Sequence, residues 1–528
     1  MEDGDGAASW PPELVSRYRE AGIWRDDTLS GLLRVWAERS GDAIAVVCGS
    51  ERISYAELDR RASELASGLL ARGLQPGDRV VVQLPNSATF VIVLFGLLRA
   101  GIIPVLALPA HRRTEIEHFV THAEAVAYFI ADQDSGFDYR TLAADIPAVD
   151  HVFVAGEPGP YTALSDVSAP VGSLPSIEPG DVAVLLISGG TTGKPKLIPR
   201  THRDYAYNAR ASAEVCALSA DDVYLVVLPA AHNFPLACPG LLGTLGVGGR
   251  VVMAPAPAPD VTFDLIERER VTVTALVPPL VRLWIDTVSW DRRDLSSLRL
   301  LQVGGAKLDP SLASSVAPTL GTALQQVFGM AEGLLNYTRL DDPDDLVTTT
   351  QGRPLSSFDE VRVVDRDGVD VPDGSVGELW TRGPYTLRGY YRVPEYNATA
   401  FTADGFYRTG DLVRRLASGH LIVEGRVKDV INRGGENVSA GELEEHLLAH
   451  PSVAQAAVVG VPDTTLGEIV CAVVVLAPDA ALKLKELKAF LAARGLARFK
   501  LPDRLAILPT FPVTAVGKID KKAVLAQL

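Results

Sequence analysis

Cysteine is scarce in this chain, with four residues in 528: Cys48, Cys216, Cys238 and Cys471. They lie far apart and form no CxxC pair. That excludes a disulfide framework and a cysteine-knuckle metal site, and it points to reduced thiols. Basic charge is also in deficit. Fifty Lys and Arg stand against 65 Asp and Glu, a net charge of −15, which argues against nucleic acid as the main partner. An unbroken hydrophobic span is missing as well. Val223 to Gly249 carries no Asp, Glu, Lys or Arg, yet Pro229, Pro235 and Pro239 interrupt it. Proline at that density suits buried strands and loops better than a bilayer helix, so no membrane segment is expected. Met1 to Ser9 is acidic and glycine-rich, unlike a signal peptide. The expected compartment is the cytoplasm.

Much else is ordinary. Hydrophobic residues make up 47% and charged residues 22%, as in globular proteins, and the length implies at least two domains. Through the first three quarters, short apolar runs alternate with amphipathic stretches. Ser54 to Gly73 reads as a helix, Arg79 to Leu84 as a strand, Ala88 to Arg99 as a helix and Ile102 to Leu106 as a strand. Such alternation predicts parallel α/β layers. The tail differs. Ser439 to Glu442 reads as a capping box, Val453 to Val461 and Ile469 to Leu476 as strands, and Leu482 to Arg494 as a basic helix. From Lys483 onward ten Lys and Arg face three Asp and Glu. This basic face reads either as a solvated helix surface or as a dock for an acidic partner.

The motif richest in chemistry follows the apolar run Val182 to Ile187. Ser188, Gly189, Gly190, Thr191, Thr192 and Gly193 lead to Lys194, Pro195 and Lys196. Glycines let successive N–H groups curl round an anion, hydroxyls add donors, and Lys196 adds a point charge. This is a loop for phosphate, but not a Walker P-loop. Ser188 stands where that motif needs glycine, and Pro195 where it needs Ser or Thr. Downstream come Gln326–Glu332 (QVFGMAE), Tyr407–Asp411 (YRTGD), Gly425–Asp429 (GRVKD) and Pro512–Lys518 (PVTAVGK).

In this order and spacing, the motifs resemble the adenylate-forming superfamily of acyl-CoA synthetases, luciferases and nonribosomal adenylation domains. The resemblance covers nearly the whole chain after about residue 25. It implies an α/β fold: a large N-terminal adenylate-forming domain of mixed sheets and helices (1–427), then a small mobile α+β C-terminal domain (428–528). It also implies two half-reactions. A carboxylate attacks the α-phosphorus of ATP, and a thiol then attacks the acyl-adenylate. On this resemblance the 188–196 loop holds the β- and γ-phosphates, and Glu332 binds Mg²⁺. Gly304, Gly305 and Ala306 form the adenine slot with Val327, Phe328, Gly329 and Met330. Asp411 accepts the ribose hydroxyls and Arg426 makes a second ribose contact. Lys518 bridges carboxylate and α-phosphate as the catalytic lysine, and Lys428 is the hinge.

Substrate choice rests on the charge-free stretch. Amino-acid-activating relatives keep a carboxylate for the substrate ammonium, whereas here the place corresponds to Asn233, a neutral amide. The segment resembles stand-alone aryl-acid adenylating enzymes of siderophore biosynthesis. In these, the resemblance implies, Asn233 contacts the ring 2-hydroxyl and Phe234 packs beside the ring. His232 either helps place the carboxylate or pyrophosphate, or is a hydrogen-bonded core histidine. Cys238 and Leu335 match salicylate enzymes, where 2,3-dihydroxybenzoate enzymes carry Ser and Val. Cysteine is a weak partner for a 3-hydroxyl, and leucine takes more room than valine. Salicylate is therefore the expected acid, with 2,3-dihydroxybenzoate as the alternative. The expected acceptor is the phosphopantetheine thiol of a separate, acidic aryl carrier protein, with free coenzyme A as the alternative. Two other readings compete: a non-catalytic nucleotide binder, and a metalloenzyme built on His118 and His122. The second lacks a zincin glutamate and a third ligand.

Overall fold

In this computed structural model the described residues are 10–146, 149–188, 195–433, 436–463, 467–494, 496, 500–514 and 517–528. Gly189, Gly190, Thr191, Thr192 and Gly193 of the phosphate loop lie outside them, as does the side chain of Lys428. Contacts divide the chain into two compact units. The first takes in 1–348, 352–360 and 382–407; the second takes in 349–351, 361–381 and 408–528.

The first unit is α/β and rests on two sheets. In the nine-stranded sheet, Ile44–Cys48, Arg250–Met253, Val223–Val226, Val273–Leu276, Leu300–Gly304 and Ala323–Gly329 run parallel. Antiparallel strands close both edges. The seven-stranded sheet is likewise parallel from Thr162–Ala163 through to Val182–Ile187, apart from one antiparallel edge, Leu197–Thr201. Parallel neighbours require crossover helices, and the apolar faces of those helices supply the period read in the sequence. Tyr55–Ala71 is such a helix, capped by the Ser54 hydroxyl. Ala88–Ala100 is another, buried nearly all round and ended by Gly101 at φ 69°.

The antiparallel edge matters for the site. The phosphate loop joins Val182–Ile187 to Leu197–Thr201 as a hairpin, whereas a Walker motif joins a strand to a helix. The charge-free stretch departs from expectation. After the strand Val223–Val226 it forms two helices, Asn233–Ala237 and Gly240–Val247, rather than strands and loops. The prolines break no helix because Pro235 falls in the first turn of the first, where no intrahelical N–H bond is lost, and Pro239 sits at the N-cap of the second. That helix is apolar because it is buried against neighbouring helices.

The second unit is α+β. One four-stranded sheet orders Glu360–Val364, Val376–Arg382, Tyr407–Arg415 and Leu421–Arg426, the last two antiparallel. A five-stranded sheet centres on Gly467–Leu476 and Val453–Asp463. Its alternate residues feed two cores. Val458, Val470 and Val474 face Leu443, Leu447, Leu487 and Leu491, while Val459, Cys471 and Val473 face Phe511 and Val524. The helix at the expected capping box spans Ala440–Leu448, and the Ser439 hydroxyl accepts the Glu442 N–H at 3.3 Å. The Glu442 carboxylate pairs with Lys500 at 2.6 Å, so the glutamate serves tertiary packing.

Candidate active site

The phosphate loop is pinched at its neck. Ser188 is buried, its Oγ accepts the Lys196 N–H at 2.9 Å, and its own N–H donates to the Lys196 carbonyl at 2.9 Å. A hydroxyl that accepts can still donate its proton to an anion. The Lys196 Nζ stands 3.9 Å from the centre of the Tyr396 ring. His118 and His122 lie on the helix Arg113–Ala123 with their rings stacked at 5.3 Å. Their Nε2 atoms meet the carbonyls of Pro195, 2.9 Å away, and Tyr391, 3.0 Å away. These two bonds tie the helix to the segment that follows the loop and to the Tyr391 backbone. Among the described residues no group of three or more His, Cys, Asp or Glu is placed to hold a metal.

Strand Leu197–Thr201 carries the loop directly into a buried ionic cluster. Arg200 is 1% exposed and binds Asp204 at 2.7 Å, Asn208 at 3.3 Å and the Ala331 carbonyl at 3.0 Å. Its guanidinium also stacks on the Tyr205 ring at 4.6 Å. Asp204 and Asn208 follow Arg200 at intervals of four, so one helical face presents both. From the same helix, the Tyr205 hydroxyl donates to Asn233 Oδ1 at 2.9 Å. Full burial raises the Tyr205 phenol well above its ordinary pKa, so it remains a donor.

His232 caps the helix Asn233–Ala237, its Nδ1 accepting the Phe234 N–H at 3.3 Å. Asn233 is 5% exposed, and its Nδ2 points to the Cys238 Sγ at 3.4 Å. Burial pushes the Cys238 thiol up to about 12, so it stays neutral. The Phe234 ring lies against Gly304. A Cβ at Gly304 would stand 3.0 Å from Phe234 Cε1 and 2.6 Å from the Val327 carbonyl. Glycine is what lets ring and strand approach here.

Gly304 pairs with Val327 across parallel strands, and Gly305 turns away at φ 81°. Beyond this pair, Phe328 and Met330 are half-buried, while Gly329 and Ala306 are exposed. Gly329 pairs with Leu335, and a Cβ there would fall 2.3 Å from Leu335 Cδ2. Leu335 is buried, and its N–H is held by the Tyr385 hydroxyl at 3.2 Å. The turn between the two strands presents Glu332, whose Oε1 accepts the Tyr390 hydroxyl at 2.8 Å. Within this unit, then, the structure gathers Ser188, Lys196, His232, Asn233, Phe234, Cys238, Gly304, Val327, Glu332 and Leu335 onto neighbouring strand ends and short helices.

In the second unit, Asp411 lies opposite Arg426 across an antiparallel pair and binds its Nε at 2.8 Å. Burial raises the Asp411 carboxyl, while Arg426 and then Lys518 oppose that rise. Arg426 therefore bears on this place through Asp411. Lys518 is exposed on a tight turn. The Thr514 N–H meets the Lys518 carbonyl at 2.7 Å, and the Lys518 N–H meets the Thr514 hydroxyl at 3.2 Å. The backbone of Lys428 lies in the one-turn helix Val427–Asp429.

The sequence profile described as AMP-binding enzyme matches residues 33–391, and the AMP-binding enzyme C-terminal domain matches 442–518. The chain belongs to the AMP-binding enzyme family. It is 54% identical to a 2,3-dihydroxybenzoate-AMP ligase of Bacillus subtilis, over 98% of this chain and 97% of that one. It is 52% identical to a salicyl-AMP ligase / salicyl-S-ArCP synthetase of Mycobacterium tuberculosis, over 99% and 94%. Among solved structures, MbtA of Mycobacterium smegmatis in its apo form is 53% identical over 99% of both chains, with a TM-score of 0.77. ATP-bound MatB from Rhodopseudomonas palustris is 28% identical over 95% and 99%, with a TM-score of 0.85.

For an AMP-binding enzyme the metal question reduces to Glu332. Glu332 is a half-buried carboxylate, and hard oxygen of this kind fits a magnesium ion that keeps waters and phosphate oxygens. The residues that sequence reading missed are Arg200, Asp204, Tyr205, Asn208 and Tyr390. The capping box Thr201–Asp204 marks the start of the helix that carries Asp204, Tyr205 and Asn208; nothing local marks their pairing with Arg200, and Tyr390 had no signal.

Proposed function

We propose that this enzyme activates salicylate to salicyl-adenylate with release of pyrophosphate, then transfers the acyl group to the phosphopantetheine thiol of an aryl carrier protein in siderophore biosynthesis. ATP-dependent aryl-acid–AMP ligation is the chemistry named for its relatives above half identity. The observation that carries the choice of acid is the buried, neutral Asn233 amide between Tyr205 and the Cys238 thiol. An amide there suits a ring hydroxyl and gives an ammonium no counter-ion.

In the first half-reaction a carboxylate oxygen bonds to the α-phosphorus and the bond to pyrophosphate breaks. Ser188, Lys196 and the loop 189–193 hold the leaving group. Gly304, Gly305 and Ala306 flank the adenine with Val327, Phe328, Gly329 and Met330. Asp411 holds the ribose, braced by Arg426. Lys518 stabilises charge between carboxylate and phosphate. Its charge already reaches Asp411 within the second unit, which supports this reading. Magnesium, when bound through Glu332, offsets charge on the phosphates. Phe234 packs beside the aryl ring and His232 lies next to the carboxylate. In the second half-reaction the thiol sulfur attacks the carbonyl carbon, AMP leaves and the thiol proton is released. Turning of 428–528 about Lys428 takes Lys518 out between the two steps.

The choice between salicylate and 2,3-dihydroxybenzoate is tested at Cys238. Cys238→Ser gives a 3-hydroxyl a strong partner. It should raise kcat/KM for 2,3-dihydroxybenzoate relative to salicylate by about tenfold. An unchanged ratio in acid-dependent pyrophosphate exchange would remove Cys238 from the specificity argument.

A second reading of the acceptor has specific support. A Streptomyces relative, 53% identical, is named salicylyl-CoA synthase / salicylate adenylyltransferase. The basic face decides between acceptors. Lys483 and Lys485 are exposed, whereas Lys488 is half-buried near Asp503, whose carboxyl is held low by Arg433 with help from Lys488. Reversing Lys483 and Lys485 to Glu should slow transfer to a holo carrier protein by about tenfold and spare pyrophosphate exchange. Equal transfer rates would leave this face a solvated surface.

A further inference from the structure

Tyr390 is 3% exposed and stands between Glu332, assigned to magnesium, and Lys196, assigned to the phosphates. Its hydroxyl donates to Glu332 Oε1 at 2.8 Å and lies 2.7 Å from the Tyr407 hydroxyl. A phenol has one proton. With that proton on Glu332, the second contact must be donated by Tyr407.

The ring of Tyr390 faces the other group. It packs edge-on to Tyr396 at 5.4 Å, and Lys196 Nζ lies 3.9 Å from the Tyr396 ring centre and 5.8 Å from that of Tyr390. The backbone here is fastened on both sides. Asn397 accepts the Tyr390 N–H and donates to its carbonyl, each at 2.9 Å. The Tyr391 N–H bonds the Leu197 carbonyl at 3.0 Å, and the Leu387 N–H bonds the Glu332 carbonyl at 2.7 Å. One strap thus ties the exit of the phosphate loop to the turn that presents Glu332.

We propose that Tyr390 is a positioning residue that fixes the Glu332 carboxylate through its hydroxyl and seats Lys196 with its ring, and so sets the magnesium dependence of ATP binding. This rests on the reading of Glu332 and Lys196 above. A carboxylate with one oxygen held presents the other in a fixed direction, and a cation over paired aromatic faces keeps its place when phosphate is absent.

The test is equilibrium ATP binding to the full chain by calorimetry, with magnesium titrated and with magnesium chelated. Tyr390→Phe keeps the ring and the Asn397 clamp and removes only the hydroxyl. The magnesium midpoint should rise by about tenfold while magnesium-free ATP binding changes by less than about twofold. Tyr396→Leu should weaken ATP binding by about threefold with and without magnesium, leaving the midpoint in place. Tyr407→Phe should shift the midpoint as Tyr390→Phe does, but less. A Tyr390→Phe midpoint equal to that of the parent overturns the proposal, as does equal weakening with and without magnesium, which is what a merely structural role produces. Glu332→Gln separates the layers. If it moves the midpoint and Tyr390→Phe does not, Tyr390 alone is misassigned. If it does not, the reading of Glu332 fails and this inference fails with it.

Discussion

Lys518→Ala is expected to lower salicylate-dependent pyrophosphate exchange by about 10²- to 10³-fold, the usual cost of removing one preorganised donor from a developing charge. Transfer from chemically prepared salicyl-adenylate to a thiol should stay within about twofold, because in the proposed mechanism Lys518 acts only where the α-phosphate reacts. The side chain is exposed, and its tight turn is held by backbone and Thr514 contacts. The variant should therefore fold normally. Single-turnover kinetics of each half-reaction would check this. Equal loss in both would mean that Lys518 holds the unit together; no loss in the first would remove it from the mechanism.

Asn233→Asp should be at least as damaging, though it changes shape very little. It replaces a buried amide with a carboxylate between the Tyr205 hydroxyl and the Cys238 thiol. Neither neighbour carries a compensating charge, and an anionic acid must bind nearby. An uncompensated buried charge costs about 3–5 kcal/mol. That corresponds to a loss of about 10²- to 10⁴-fold in kcat/KM for salicylate. Desolvation raises the pKa of a carboxyl so placed. Below that pKa it is a neutral acid that resembles the amide, and above it the charge returns. The deficit should therefore shrink as pH falls and grow as pH rises, which a pH profile of the exchange rate against the parent would show. A pH-independent deficit would mean that Asn233 matters by shape alone. Gain of exchange with amino acids would show that the carboxylate now receives an ammonium.

Much of this was legible before any coordinates, and the reasons differ by element. The helix Tyr55–Ala71 and the strand Arg79–Gln83 followed from hydrophobic period and caps, which are local. The run 188–196 was legible as a loop after the strand Val182–Ile187, and its neck at Ser188 and Lys196 lies between the paired strands Val182–Ile187 and Leu197–Thr201; its use for phosphate is part of the proposal. Asn233, Cys238 and Leu335 came through resemblance, and the structure adds what resemblance cannot: the Tyr205 bond that orients the amide, and the Leu335 side chain lying over Gly329. Two things stayed hidden. The charge-free stretch was misread because prolines count as helix breakers unless their place relative to the N-cap is known. The Arg200 cluster and the Tyr390–Glu332 bond join residues 131 and 58 positions apart. No local pattern encodes such a pairing, and a lone Arg or Tyr in sequence looks like any other.

In the proposed function Asn233, Cys238 and Leu335 make a pocket for salicylate. The decisive measurement is acid-dependent ATP–pyrophosphate exchange, with salicylate, 2,3-dihydroxybenzoate, benzoate and a panel of amino acids compared side by side. Exchange strongest with salicylate, weaker with the dihydroxy acid, weak with benzoate and absent with amino acids is the result expected. Preference for 2,3-dihydroxybenzoate would keep the enzyme class and overturn the roles of Cys238 and Leu335. Exchange with amino acids alone would contradict the reading of Asn233 and the assignment to aryl acids with it.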